Sequence, residues 1–310
     1  MARWLEVIII VLLVVLLGVA GYAFYEFFPQ ESVPFVFDNL TLPPPLNYTS
    51  SSQFYSNMRF RENRISYSIE SSCSEAKQAS AREAFEQLAE GTVLSFYETD
   101  YTEAEIRVIC SKMPPDSERK RHFIAGEGGP TEILNGSYYA VILEGTFSLY
   151  RDETCDTAHI ALHEALHVLG FDHNNNPRSI LYPTLDCDQQ LDDYLIAEIN
   201  RLYREPSYPD LTIHSLEGNT SGRYLSFEIQ ISNNGLRDAG NVSLRVYADE
   251  KLIKEFALDA VPIASRKILA VTNLNVGRRT ETIDFRVDEL NTIQELKEEN
   301  NNQLLTITRD

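Results

Sequence analysis

The 310-residue sequence predicts an α+β domain followed by an all-β sandwich, both behind a single N-terminal transmembrane helix. Three observations carry that prediction. Val7 to Tyr25 is almost wholly apolar and about as long as a helix must be to cross a bilayer. Residues 58–205 mix strand-like alternation with helical periodicity and include a histidine-rich helix. From Asp210 onward come about seven short alternating segments with turn signals between them, the pattern of a sandwich. The expected units are therefore 1–26 (anchor or signal segment), 27–57 (extended tether), 58–205 (α+β domain) and 209–308 (sandwich).

Arg3 and the terminal amine precede the apolar run, and Glu26 and Glu31 follow it. The positive-inside rule leaves the N-terminus in the cytoplasm and the rest of the chain outside the cell membrane. Gly18-Val19-Ala20 also offers small residues to a signal peptidase, which would release a secreted protein, but the apolar run continues past it and favours a retained anchor. The tether holds Pro43-Pro44-Pro45 among Ser and Asn and shows no period. Asn39, Asn47, Asn135, Asn219 and Asn241 each head an N-glycosylation triplet.

In the α+β domain, Ile65 to Glu70 alternates as a strand does. Ser74 then caps a helix that places Ala81, Ala84, Phe85 and Leu88 on one face and stops at Gly91. Strands follow at 93–97 and 104–110. Residues 113–129 read as an irregular solvated loop with a charged run from Arg119 to His122, and Tyr138 to Tyr150 is rich in strand-favouring residues. Asp156 or Thr157 is placed to cap the next helix. A last helix, from about Gln189 to Tyr203, repeats Leu191, Leu195, Ile199 and Leu202.

The capped helix carries His163-Glu164-Ala165-Leu166-His167-Val168-Leu169-Gly170-Phe171-Asp172-His173. Histidines four apart share a helix face, so His163 and His167 can reach one metal ion. Gly170 permits a left-handed turn that brings His173 back as a third ligand. Three neutral nitrogens leave zinc an open position for water, whose pKa falls to about 7. Glu164, about 100° around the helix, is placed to take that water's proton.

This H-E-x-x-H-x-x-G-x-x-H run resembles the zinc signature of the metzincin metallopeptidases, and most closely the matrixin branch. The strand, helix, strand, strand order before it extends the likeness. The resemblance implies a twisted mixed sheet with an active-site helix, one catalytic zinc held by His163, His167 and His173, Glu164 as the catalytic residue, and a peptide or protein substrate. It implies that an edge strand around Tyr138 to Glu144 pairs with the substrate, that Tyr182 to Asp186 forms a pocket wall, and that His159 is not a ligand. Where the family has a methionine beneath the zinc, this chain has Leu181, close to it in volume.

Pro206 and Pro209 mark the boundary to the sandwich, whose strands include Tyr224 to Ser232, Val242 to Tyr247, Lys267 to Thr272 and Thr282 to Val287. Asn233-Asn234-Gly235 and the run from Asp288 to Asn301 resemble the CARDB domain, an immunoglobulin-like module of prokaryotic surface proteins. No nucleophile or acid-base pair stands out there, so a binding or spacing role, with a possible surface ligand, is expected.

A net charge of −19 and a pI near 4.7 argue against nucleic acid, which needs a basic face to displace phosphate counterions. The carboxylates could serve structural Ca2+, but no D-x-D-x-D-G loop supports it. Four cysteines without C-x-x-C spacing allow three disulfide connectivities. Cys73–Cys110 with Cys155–Cys187 is favoured, since each bridge then staples one half of the catalytic domain and the second encloses the metal site, contributing roughly 3–4 kcal/mol on the chain-entropy model. These features predict an exported, anchored zinc endopeptidase. The alternative is a catalytically inactive surface adhesion or scaffold protein acting through its sandwich.

Overall fold

The structure is a computed structural model that describes residues 2–27, 32–38, 53–110 and 125–307. Asn39, Asn47 and the Arg119–His122 run lie outside the described residues. Helix α1 spans Ala2–Phe27. Its Val7–Phe24 window has a mean hydropathy of 3.0, and among the described residues it is the one helix long and apolar enough to cross a membrane.

The first sheet is built from β2 (Met58–Phe60), β3 (Arg64–Ile69), β4 (Ser95–Glu98), β5 (Ile106–Cys110), β6 (Gly126–Asn135) and β7 (Ala140–Leu149). Neighbours β4, β3, β5 and β7 run parallel, β2 is parallel to the start of β7, and β6 is antiparallel along all of β7. That pairing settles which strand is the edge. Since β6 occupies one whole side of β7, the expectation of an edge at Tyr138 to Glu144 is corrected: the edge is β6, and residues 126–129, expected as loop, belong to it. Glycine and Pro130 hid the strand from composition, and the ladder breaks register between Pro130 and Glu132, where proline has no N–H to give.

Helix α2 (Glu75–Gly91) begins where Ser74 Oγ accepts the Lys77 N–H, and buries Ala81, Ala84, Phe85 and Leu88 as its periodicity requires. Helix α3 (His159–Val168) is buried at every residue, so it forms the centre of the domain core. Its expected cap is corrected. The N-cap is Ala158, and the orphan N–H groups of Ile160 and Ala161 are met by the Glu153 carboxylate at 2.9 and 3.2 Å. Helix α4 (Asp193–Leu202) starts at Asp192, whose carboxylate caps Leu195 N, and buries Leu195, Ile199 and Leu202. Disulfides join Cys73 to Cys110 and Cys155 to Cys187.

The sandwich contains β8 (Leu211–Ser221), β9 (Tyr224–Asn233), β10 (Ala239–Ala248), β11 (Lys251–Val261), β12 (Arg266–Asn275), β13 (Thr282–Val287) and β14 (Asn302–Thr306). One sheet has the order β11-β10-β13-β14. The other, β8-β9-β12, gains a fourth strand, β1 (Ser32–Asp38), from the segment just after α1. An undocked tether over 27–57 is thereby corrected at residues 32–38, which pair with β8, and at residues 53–57, which pack against the α+β domain. Pattern reading missed β1 because a seven-residue strand between Glu31 and Asn39 has no partner near it in sequence.

The two domains touch through an apolar cluster. Tyr139 and Val141 from the β6–β7 hairpin and β7 meet Leu236 and Ile263 of the sandwich, with Leu296 and Ala264 at its margin. Within the α+β domain, buried Arg59 ties β2 to the chain after the last helix by donating to the carbonyls of Leu202 and Glu205 at 2.6 and 3.0 Å, while its guanidinium lies 4.3 Å from the centre of the Tyr203 ring.

Candidate active site

Helix α3 ends in a Schellman motif that sets the site's shape. Phe171 N–H donates to Leu166 O and Gly170 N–H to His167 O. Gly170 has φ +94°, and a Cβ there would come 2.7 Å from Met58 Cγ, so this position excludes side chains on both counts. The reversal carries the chain to His173. The Nε2 atoms of His163, His167 and His173 then lie 3.0, 3.2 and 3.3 Å apart.

Those spacings define a ligand set rather than mutual hydrogen bonds. His163 Nδ1 faces Ile180 O at 2.6 Å and His167 Nδ1 faces Phe171 O at 2.7 Å. A carbonyl can only accept, so each Nδ1 carries the proton and each Nε2 presents a lone pair. Nitrogens bound about 2.0–2.1 Å from a tetrahedral zinc lie about 3.3 Å from each other, which matches. The residues present fit the metal. Burial, and then His167, hold His163 down at about 3, and burial also lowers His167 and His173, so the triad stays neutral at neutral pH.

Glu164 is buried on the adjacent helix face. Burial, with the charge of Glu127 added, pushes its carboxyl up to about 8 in the protein alone, while a cation at the triad favours the carboxylate. Strand β6 passes directly over it. A Cβ on Gly126 would lie 2.8 Å from Glu164 Oε1, and one on Gly128 would lie 2.4 Å from Glu164 O, so both glycines set how closely β6 approaches the helix. Sequence reading missed them because 126–129 read as loop. The surrounding cleft has a volume of about 770 Å³.

A family model for matrixin matches residues 59–204, and one for CARDB matches residues 208–304. The chain carries a matrixin domain followed by a CARDB domain. The matrixin domain belongs to a family of zinc metallopeptidases. No curated protein matches the chain. Among solved structures, a CARDB domain from Pyrococcus furiosus, crystallised with di-metal ions, is 24% identical over 33% of this chain and 88% of its own, with a TM-score of 0.28. The solution structure of a CARDB domain from the same organism is 25% identical over 33% and 94%, with a TM-score of 0.29. A cell surface protein domain from Methanosarcina acetivorans is 17% identical over 33% and 95%, with a TM-score of 0.28.

Within the matrixin domain, Leu181 is fully buried in a turn closed by Tyr182 N–H to Ser179 O, next to the carbonyl of Ile180 that orients His163. Pro183, Thr184 and Leu185 line the cleft. His159 stands apart from the triad, its ring held between Thr157 and the Gln189 carbonyl. Phe54, assigned to the tether by composition, instead donates its N–H to Gly170 O and lines the cleft beside His167. Its signal was unreadable, because the contact depends on where the turn at Gly170 ends in space.

Proposed function

We propose that this chain is an exported zinc endopeptidase, held at a membrane by α1, with His163, His167 and His173 as zinc ligands and Glu164 as general base and acid. The observation that carries the reading is the convergence of three Nε2 atoms on one point, beside a buried carboxylate, at the floor of an open cleft. Zinc bound there supplies a Lewis acid and a water of pKa about 7. The chain's own residues do the rest. Glu164 takes a proton from the attacking water and returns it to the leaving amine, so no covalent enzyme intermediate forms.

Strand β6 pairs with β7 on one side only among the described residues. Its other edge offers main-chain groups to an extended peptide, as strand addition requires. Pro183, Thr184 and Leu185 form a pocket wall for a substrate side chain. Arg3 before the apolar run of α1 and Glu26 and Glu31 after that run orient the helix with both domains outside. The CARDB domain acts as a spacer and brace, since it packs on the hairpin joining β6 to β7.

The test is cleavage of a mixed peptide library by zinc-loaded residues 28–310, beside the same protein carrying Glu164→Ala. Cleavage by the unmodified form alone, stopped by a chelator, is the expected result. Equal zinc binding with no cleavage by either form removes the peptidase reading and leaves a surface adhesion or scaffold role.

A further inference from the structure

The pairing of β1 with β8 has features of a fitted contact. Seven residues are in unbroken antiparallel register, from Ser32 opposite Ser221 to Asp38 opposite Ser215. The strand alternates as a half-buried strand must. Phe35 and Phe37 pack against the sandwich core, while Val36 between them is 76% exposed. Opposite Phe35 stands Gly218, where a Cβ would come 2.2 Å from Ser226 O on β9 and 2.8 Å from both Phe227 Cα and Phe35 Cζ. The β9 backbone and the Phe35 ring together close the space a side chain on β8 would need, so the ring of β1 packs closely on a position 183 residues away. Pro34 fits an edge strand, where a missing N–H costs nothing if it faces away from the partner. Without β1, the eleven-residue β8 would be an open edge, the kind of surface that invites pairing.

Only residues 28–31 separate β1 from α1. The covalent path from β1 to the matrixin domain runs separately, through residues 39–52. The ectodomain thus has two links to its N-terminal helix, one covalent and one through β8. We propose that β1 is a docking strand whose binding to β8 keeps the N-terminal segment and the ectodomain together when the chain is cut within residues 39–52. Main-chain pairing supplies affinity and the two buried phenylalanines supply register. At a membrane, such a cut would leave the peptidase in place, a consequence that rests on the anchor reading above.

The experiment uses the full chain, with an epitope tag inserted between Gln30 and Glu31 and the recognition site of a sequence-specific protease inserted between Leu46 and Asn47. The tag stays on the β1 fragment whether α1 is retained or removed. Sedimentation with membranes before cutting therefore tests the anchor, and co-purification in detergent after cutting tests the strand. The expected result is that the tagged fragment remains with residues 47–310. Phe35→Asp combined with Phe37→Asp weakens that association by at least about 30-fold, the cost of losing buried aromatic anchors. Val36→Asp adds a negative charge on the exposed face of the same strand and leaves the pair intact. Should the double variant fail to fold, judged by zinc content of the uncut chain, Phe35→Ala reads the same contact more gently. Separation of the unaltered fragments on cutting overturns the proposal, and so does equal retention by Phe35 and Val36 variants.

Discussion

Two buried glutamates, one in each domain, are pushed up to about 8, yet they do different things. Glu295 in the CARDB domain spends both oxygens on neighbours: Oε2 accepts the Leu211 N–H at 2.5 Å and Oε1 accepts Asn301 Nδ2 at 2.8 Å. Glu164 in the matrixin domain accepts no hydrogen bond among the described residues and faces the cleft. Burial sets the shift in both. What separates a structural acid from a candidate catalytic one is unspent hydrogen-bonding capacity beside space for a substrate.

The sharpest way to break this comparison is to neutralise each acid in turn. Glu164→Gln is expected to lower peptide cleavage by about 10²- to 10⁴-fold, the usual worth of a general base, while zinc content stays unchanged. Glu295→Gln should leave cleavage nearly untouched. Equal losses in kcat/KM would mean that the two acids differ in position only.

Removing a proposed ligand tests the other half of the site. His163→Ala should weaken zinc binding by more than about 100-fold, since loss of even an outer partner of a ligand costs 10–100-fold. Competition with a chromophoric chelator reads this directly. Next in size comes β6: Gly126→Ala places a methyl 2.6 Å from Glu164 Cγ and 2.8 Å from its Oε1, so the glutamate side chain or β6 must shift, and the change should cost about 10- to 100-fold in kcat.

A pH series separates the domains. Glu295 has a folded pKa raised to about 8 from 4.5, so the folded state holds its proton where the unfolded chain has lost it. The contribution of Glu295 to the stability of the sandwich is therefore fully present below about 4.5, declines as pH rises to about 8, and is lost above it. Hydrogen exchange at Leu211 and along β8 should show that decline in zinc-loaded Glu164→Gln protein, and Glu295→Gln should flatten it. The smallest effect is expected from Leu181→Met, a nearly volume-conserving change that should cost less than about 1.5 kcal/mol by denaturant unfolding.

Much of the candidate site was legible because its parts are close in sequence. His163, Glu164, His167, Gly170 and His173 span eleven residues, and helix periodicity plus one glycine fixes their relation with little help from the rest of the chain. The same holds for α2, where Ser74 and the spacing of Ala81, Phe85 and Leu88 state the cap and the buried face. Where a partner was distant, local rules failed. The cap of α3 was sought in Asp156 or Thr157, but the group that meets its N–H donors is Glu153, reached by a bend that no periodicity encodes.

By itself, then, the sequence determined the apolar helix, the order of α+β domain and sandwich, and the triad with its glutamate, because each follows from spacing within one or two turns or from alternation along one strand. Only the tertiary structure decided that β6 rather than β7 is the edge, that Gly126 and Gly128 bear on Glu164, that Phe54 lines the cleft, and that β1 completes the CARDB sheet. A glycine or a short strand gains its meaning from whatever stands opposite it. For Gly218 that is Phe35 on one side and the backbone of Ser226 and Phe227 on the other, and only folding brings Phe35 there.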